Sequence, residues 1–227
     1  MTQHPIHYAL GERPLHEYLR EHARNRPGKA AVVWYGRAIS YAAIDAASDA
    51  FAAELQRRGV GRGDRVALFM QNCPQYLMAH FGIQKIGAIV SPCSPMFKAH
   101  EFAYQVGDLD AKALVVADNL MPVVEAVRDR VDVPHVYAVS YAAWLPESPS
   151  MRVPSEVSQR LPVPAGAIDF QAVVAAGGRP APVTPDMDDV ALMTYTSGTT
   201  GMPKGVVLSH DNLIHTGRAY AELEGLR

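Results

Sequence analysis

From Arg65 onward, short apolar runs alternate with helical segments, and no other feature of the chain restricts its fold so tightly. Val66-Ala67-Leu68-Phe69-Met70 reads as a strand and Pro74 to Lys85 as a helix. Ala88-Ile89-Val90 is a short strand, and Ala99 to Val106 a helix stopped by Gly107. Ala113-Leu114-Val115-Val116-Ala117 is a strand, Pro122 to Arg130 a helix and His135-Val136-Tyr137-Ala138-Val139 a strand. These strand runs are continuously apolar, the pattern of strands buried on both faces. Such strands alternating with helices predict an α/β fold, a parallel sheet with helices packed on both faces.

The flanks complete the pattern. Residues 1–13 are polar and irregular and read as a loose arm. Leu15, Tyr18, Leu19 and His22 recur at helical spacing, and Pro27-Gly28 ends that helix. Ala31-Val32-Val33-Trp34-Tyr35 forms a strand that Gly36-Arg37 turns back through Ala38-Ile39. Ser40 is positioned to cap an alanine-rich helix with Ile44, Ala47, Phe51 and Leu55 inward and Gly59 as its stop. The glycines of Gly59-Val60-Gly61-Arg62-Gly63-Asp64 follow a helix and precede a strand, the reverse of a dinucleotide loop, so this segment is a turn. Five prolines and four serines make residues 141–165 a surface loop within one domain, because an αβ pattern resumes at Phe170 to Ala176 and Val190 to Met193.

One stretch carries chemistry. Tyr195-Thr196-Ser197-Gly198-Thr199-Thr200-Gly201-Met202-Pro203-Lys204-Gly205 lies between the apolar runs Val190 to Met193 and Val206-Val207-Leu208. It reads as strand, tight loop, strand. Glycines let backbone approach an anion closely, and successive N–H groups can converge on phosphate oxygens. Thr196, Ser197, Thr199 and Thr200 add rotatable hydroxyl donors, and Lys204 adds a mobile positive charge. A Walker A loop would need Ser or Thr after its lysine and a helix behind it, whereas Lys204 is followed by Gly205 and a β-branched run. A plain hairpin turn needs two to five residues and no lysine.

This stretch resembles the phosphate-binding signature of the adenylate-forming enzymes: acyl-CoA synthetases, firefly luciferases and peptide-synthetase adenylation domains. Leu208-Ser209-His210-Asp211-Asn212-Leu213 fits the same pattern of a strand entering a helix, with Asp211 or Asn212 as its cap. Residues 91–102 and Tyr104-Gln105-Val106-Gly107-Asp108 resemble the fatty acyl-CoA synthetase branch. The resemblance implies that Thr196, Ser197, Gly198, Thr199, Thr200, Gly201 and Lys204 bind the nucleotide's phosphates, with Lys204 also the catalytic residue that neutralises the departing pyrophosphate. It implies activation of a carboxylic acid with ATP and Mg2+ to an acyl-adenylate, then transfer to coenzyme A. A fatty acid is the preferred substrate, with aryl acids such as coumarate or benzoate as alternatives. A non-catalytic αβ module that binds nucleotide is the reading from a different class.

By that resemblance the whole chain is the N-terminal part of an AMP-binding domain. Residues 1–60 supply helix, hairpin and helix, 61–184 the αβ region, and 185–227 the phosphate-binding hairpin and following helix. The adenine pocket, the magnesium-binding glutamate and the adenylation lysine would lie downstream, so this chain alone is expected not to complete the reaction. The family's second sheet, built partly from the first segment, implies an exposed apolar surface near Val33 and self-association, which light scattering would read as species larger than a monomer.

Composition excludes other classes. A net charge of −2 provides no electrostatic footprint for nucleic acid or anionic lipid. No apolar run is long enough to span a membrane, and the first residues show no secretory pattern, so a cytoplasmic setting is expected. Cys73 and Cys93 make no disulfide framework. Cys73 at a helix start could have a lowered thiol pKa, against the blander reading of a buried small hydrophobe. The nine histidines show no metal-ligand spacing, so no protein metal site is expected.

Overall fold

The computed structural model describes residues 10–196 and 202–225. In chain order the elements are α1 (Leu15–Asn25), β1 (Ala30–Trp34), β2 (Arg37–Ser40), α2 (Tyr41–Arg57), β3 (Arg65–Phe69), α3 (Pro74–Lys85), β4 (Ile89–Cys93), α4 (Ala99–Leu109) and β5 (Ala113–Ala117). They continue with α5 (Met121–Glu125), β6 (His135–Val139), α6 (Ser155–Ser158), β7 (Ile168–Asp169), α7 (Phe170–Ala176), β8 (Val190–Thr196), β9 (Lys204–Ser209) and α8 (His210–Leu223).

Seven strands form one sheet in the order β7-β6-β5-β3-β4-β8-β9, parallel throughout except for the antiparallel pair β8–β9. Successive residues of a strand point to opposite faces, and two cores result. Val66, Leu68, Ala113 and Val115 face the core that holds Leu19, Phe51, Leu55, Met78 and Phe170 from α1, α2, α3 and α7. Ala67, Phe69, Leu114 and Val116 face Phe102, Val106 and Met121 from α4 and α5. The expected helices on both faces are therefore present. Among the described residues β1 and β2 pair only with each other, and Val33 in β1 is 65% exposed. No helix among the described residues is long and apolar enough to cross a membrane.

Local chemistry explains most boundaries. Ser40 Oγ accepts the Ala43 N–H to cap α2, and Gly59 takes φ +78° beyond its end. Pro74 opens α3, where no helical N–H is required.

Several boundaries differ from the sequence reading; β8 and β9, for example, extend to Thr196 and from Lys204 into the stretch read as loop. α4 does not stop at Gly107 but runs on to Leu109, which is buried. Glycine inside a helix costs about 1 kcal/mol relative to alanine, which burial of Leu109 offsets. The stop is Asp110 in the left-handed region, and Arg65 binds the Leu109 and Asp110 carbonyls and the Asp110 carboxylate. β4 continues through Pro92 to Cys93; its pairing with β8 is the single bridge Val90↔Leu192, which leaves room for a residue without an N–H. α5 ends at Glu125, and the following N–H groups of Val127, Arg128 and Arg130 bond three residues back as turns. Val123 and Val124 within it and Val127 just beyond are weak helix formers. The cap of α8 is Ser209 rather than Asp211 or Asn212. Ser209 Oγ accepts the Asn212 N–H, and the Asn212 side chain accepts the Ser209 N–H in return.

Candidate functional site

The β8–β9 hairpin places the candidate site at one margin of the sheet. The strands pair from Val190↔Ser209 up to Thr196↔Lys204, so the last residue of β8 stands across from the first of β9. Thr196 and Lys204, far apart along the loop, are thereby brought together, and both are exposed. Lys204 makes no ion pair with a described residue, which leaves its ammonium available for an anion. Ser197, Gly198, Thr199, Thr200 and Gly201, the other expected phosphate ligands, lie outside the described residues.

Gly205 has a different task from the one its position in a glycine-rich loop suggests. A Cβ there would sit 3.1 Å from Met193 Sδ and 3.4 Å from the Tyr195 ring. This glycine lets two side chains of β8 cross over the face of β9.

Both stems of the loop are held from α4. Tyr195 Oη donates to Asp108 Oδ2 at 2.6 Å, and Tyr104 Oη donates to the Pro203 carbonyl at 2.8 Å. The sequence marked Tyr104 to Asp108 only as family-like and assigned it no role. A small cavity of about 220 Å³ lies beside this contact, bordered by Phe97, His100, Tyr104, Met202 and Pro203. A wider groove of about 710 Å³ between α2 and α7 shares no residue with the hairpin and takes no part in its chemistry.

The base of the hairpin is anchored to α1. His210 is buried, and its Nδ1 accepts the Leu15 N–H at 3.2 Å, so its proton resides on Nε2. The ring of His16 meets it edge-on at 5.8 Å. Burial first, and then the neighbouring His16, pushes His210 down to about 4. Burial, and then His210, pushes His80 down to about 4 as well. Glu17 is held down at about 2, chiefly by its hydrogen bond from His16.

His80 and His210 titrate near 6.5 when free. As pH falls below that value the unfolded chain binds protons that the folded chain refuses, so stability rises with pH between about 4 and 6.5. The urea midpoint is expected to be lower at pH 5 than at pH 7.5. His210→Asn, which keeps an acceptor for the Leu15 N–H but cannot titrate, should shrink that difference. A midpoint independent of pH over this range would show that the histidines stay accessible to protons.

Among the described residues no three His, Cys, Asp or Glu side chains converge to hold a metal ion. By themselves they do not make up a magnesium site. Cys73 follows its blander reading. It is buried at the N-cap of α3, its Sγ accepts the Tyr76 N–H, and burial pushes its thiol up to about 12.

Residues 19–226 match the family described as AMP-binding enzyme. The chain is 29% identical over 217 residues to a long-chain-fatty-acid–CoA ligase of Bacillus subtilis (strain 168), covering 92% of this chain and 39% of that protein. It is 32% identical over 179 residues to 4-coumarate–CoA ligase 3 of Oryza sativa subsp. japonica, covering 79% of this chain and 28% of that protein. It therefore spans well under half the length of these relatives. Among solved structures, the anthranilate CoA ligase AuaEII in complex with anthranoyl-AMP superposes with a TM-score of 0.77 at 21% identity, over 96% of this chain and 38% of that one. That likeness carries the fold: a largely parallel sheet with a hairpin at its margin. The match across nearly the whole sequence, together with the Thr196–Lys204 hairpin on this sheet, shows that the chain belongs to the AMP-binding enzyme family.

Proposed function

We propose that the chain supplies the phosphate-binding hairpin of an acid–CoA ligase. The observation that carries this reading is the pairing of Thr196 with Lys204 at the mouth of the Gly/Thr-rich loop, with the lysine exposed and free of described carboxylates. In such a ligase a carboxylate oxygen attacks the α-phosphorus of ATP. The bond to the bridging oxygen breaks and pyrophosphate leaves with that electron pair. The thiol of coenzyme A then attacks the acyl carbon, loses its proton and displaces AMP. Thr196 and the loop residues Ser197 to Gly201 would hold the phosphates by hydrogen bonds, and Lys204 would take up charge on the leaving pyrophosphate.

A fatty acid is the preferred substrate class, supported by the likeness of residues 91–108 to that branch and by the Bacillus relative. The rice relative favours an aryl acid as the second reading. Carboxylate-dependent ATP–pyrophosphate exchange, run on a complete ligase that carries this segment with short, medium and long fatty acids and two aryl acids, separates them. Greatest stimulation by a fatty acid is the expected result, and stimulation by the aryl acids alone would overturn the preference. Binding of ATP and pyrophosphate without exchange for any acid would reduce the chain's own role to that of a nucleotide-binding module. Binding of neither would overturn the reading of the hairpin.

A further inference from the structure

We infer that Tyr104 and Asp108 are positioning residues that hold the two stems of the phosphate hairpin from a single face of α4; the inference rests on the reading of that hairpin given above. The two residues are four apart on a helix and so share a face. One grips Tyr195 near the end of β8, and the other grips Pro203, the loop residue just before β9. Asp108 Oδ2 receives the Tyr195 hydroxyl at 2.6 Å, next to Thr196. Tyr104 Oη donates to the Pro203 carbonyl at 2.8 Å, next to Lys204.

The second contact bears directly on the lysine. Proline has no N–H, so its carbonyl is its one backbone hydrogen-bonding group. The β8–β9 ladder ends at Thr196↔Lys204, so Pro203 lies beyond it. The Tyr104 bond orients the peptide plane between Pro203 and Lys204 where the ladder no longer does, and with it the direction in which Lys204 leaves the backbone.

The helix that supplies these groups is itself well seated. Phe102, Val106 and Leu109 are buried in the second core, with the Phe102 ring 4.7 Å from that of Phe69. Gln105, also buried, donates from Nε2 to the Pro92 carbonyl at 3.0 Å and to Ser91 Oγ at 3.4 Å, tying α4 to the end of β4. One face of α4 is thus fixed to the sheet while the adjacent face holds the loop. Misplacing a charge by about 1 Å can cost on the order of 10² in rate, so a group that only positions Lys204 is expected to matter to anion binding.

The test uses two readouts on this chain: the rate of tryptic cleavage after Lys204, relative to cleavage after the exposed Arg152 in the proline-rich loop, and the affinity for inorganic pyrophosphate. Tyr104→Phe and Asp108→Ala should each raise the relative cleavage after Lys204 and weaken pyrophosphate binding, both about tenfold, the change expected from losing one hydrogen bond of about 1.4 kcal/mol. Asp108→Asn, which keeps an acceptor for the Tyr195 hydroxyl, should restore both values to near those of the unaltered chain. Tyr195→Phe combined with Asp108→Ala should be no worse than either alone.

Unchanged cleavage after Lys204, or cleavage raised equally at Arg152, would overturn the inference, since the latter is what general destabilisation produces. Failure of the underlying reading looks different: Lys204→Ala would leave pyrophosphate binding unaltered, while the cleavage ratios would still report on the clasp.

Discussion

In a complete ligase that carries this segment, Lys204→Ala is expected to slow carboxylate-dependent ATP–pyrophosphate exchange about 10²–10³-fold, the usual cost of removing one group that stabilises charge developing in a transition state. The affinity for the carboxylic acid should change far less, because the role proposed for the lysine is toward the phosphates and not the acid. The size of the effect follows from the surroundings of Lys204. It stands across from Thr196 at the mouth of the loop, exposed and without an ion pair to a described residue. Its charge is therefore not already engaged by a neighbouring carboxylate. Lys204→Arg should recover only part of the rate, because a planar guanidinium and a compact ammonium do not address a phosphate in the same geometry. Exchange at an equal rate in Lys204→Ala would remove this residue from the mechanism.

The largest loss of stability is expected at Lys85, well away from the hairpin. Its side chain is fully buried at the end of α3, and its Nζ reaches Asp45 Oδ1 and Asp49 Oδ1 at 2.6 Å each and the Asp45 carbonyl at 2.9 Å. An ammonium has three N–H donors, and all three are used. The contact depends on α2 and α3 lying close together. Gly82, one turn before Lys85, permits this, since a Cβ there would stand 2.8 Å from the Ser48 carbonyl oxygen.

Lys85→Ala leaves two largely buried carboxylates, with, among the described residues, only Arg20 reaching Asp49 at 3.5 Å. Removing one partner of a buried ion pair costs about 3–5 kcal/mol. The lower end is expected here, because Asp45 and Asp49 keep 22% and 19% of their side-chain exposure. Urea denaturation measures the loss. Lys85→Met combined with Asp45→Asn and Asp49→Asn should be more stable than Lys85→Ala, since no unpaired charge remains. A loss well under 1 kcal/mol for Lys85→Ala would mean that water already solvates the pair.

Lys85 also shows where reading a sequence stops. Its helix was legible to the residue: proline in the first turn, a glycine two residues past the end, and Pro74–Lys85 as found. Its partners were not, because Asp45 and Asp49 belong to another helix 40 and 36 residues away. Residues 113–117 and 135–139 were equally legible as strands, since an apolar run between turn residues is a local signal. Errors gathered where a local stop signal met a stronger nonlocal force. Gly107 did not end α4 because Leu109 had a core to enter, and Pro92 did not end β4 because its neighbour on one side had nearly ceased to pair. The thiol of Cys73 had the helix start that can lower a pKa, yet burial pushed it the other way.

The candidate site divides along the same line. By itself the sequence determined the class of fold, the family resemblance and the identity of the loop with its lysine. Each of these is written in contiguous residues whose spacing sets their local geometry. Only the tertiary structure decided what holds that loop in place. The hydroxyls of Tyr195 and Tyr104 find partners 87 and 99 residues away, and His210 receives the N–H of Leu15 across 195. It also decided that Gly205 serves the packing of Met193 and Tyr195. Bonds of that range depend on which strands become neighbours in the sheet, and that order is set by burial of both faces at once.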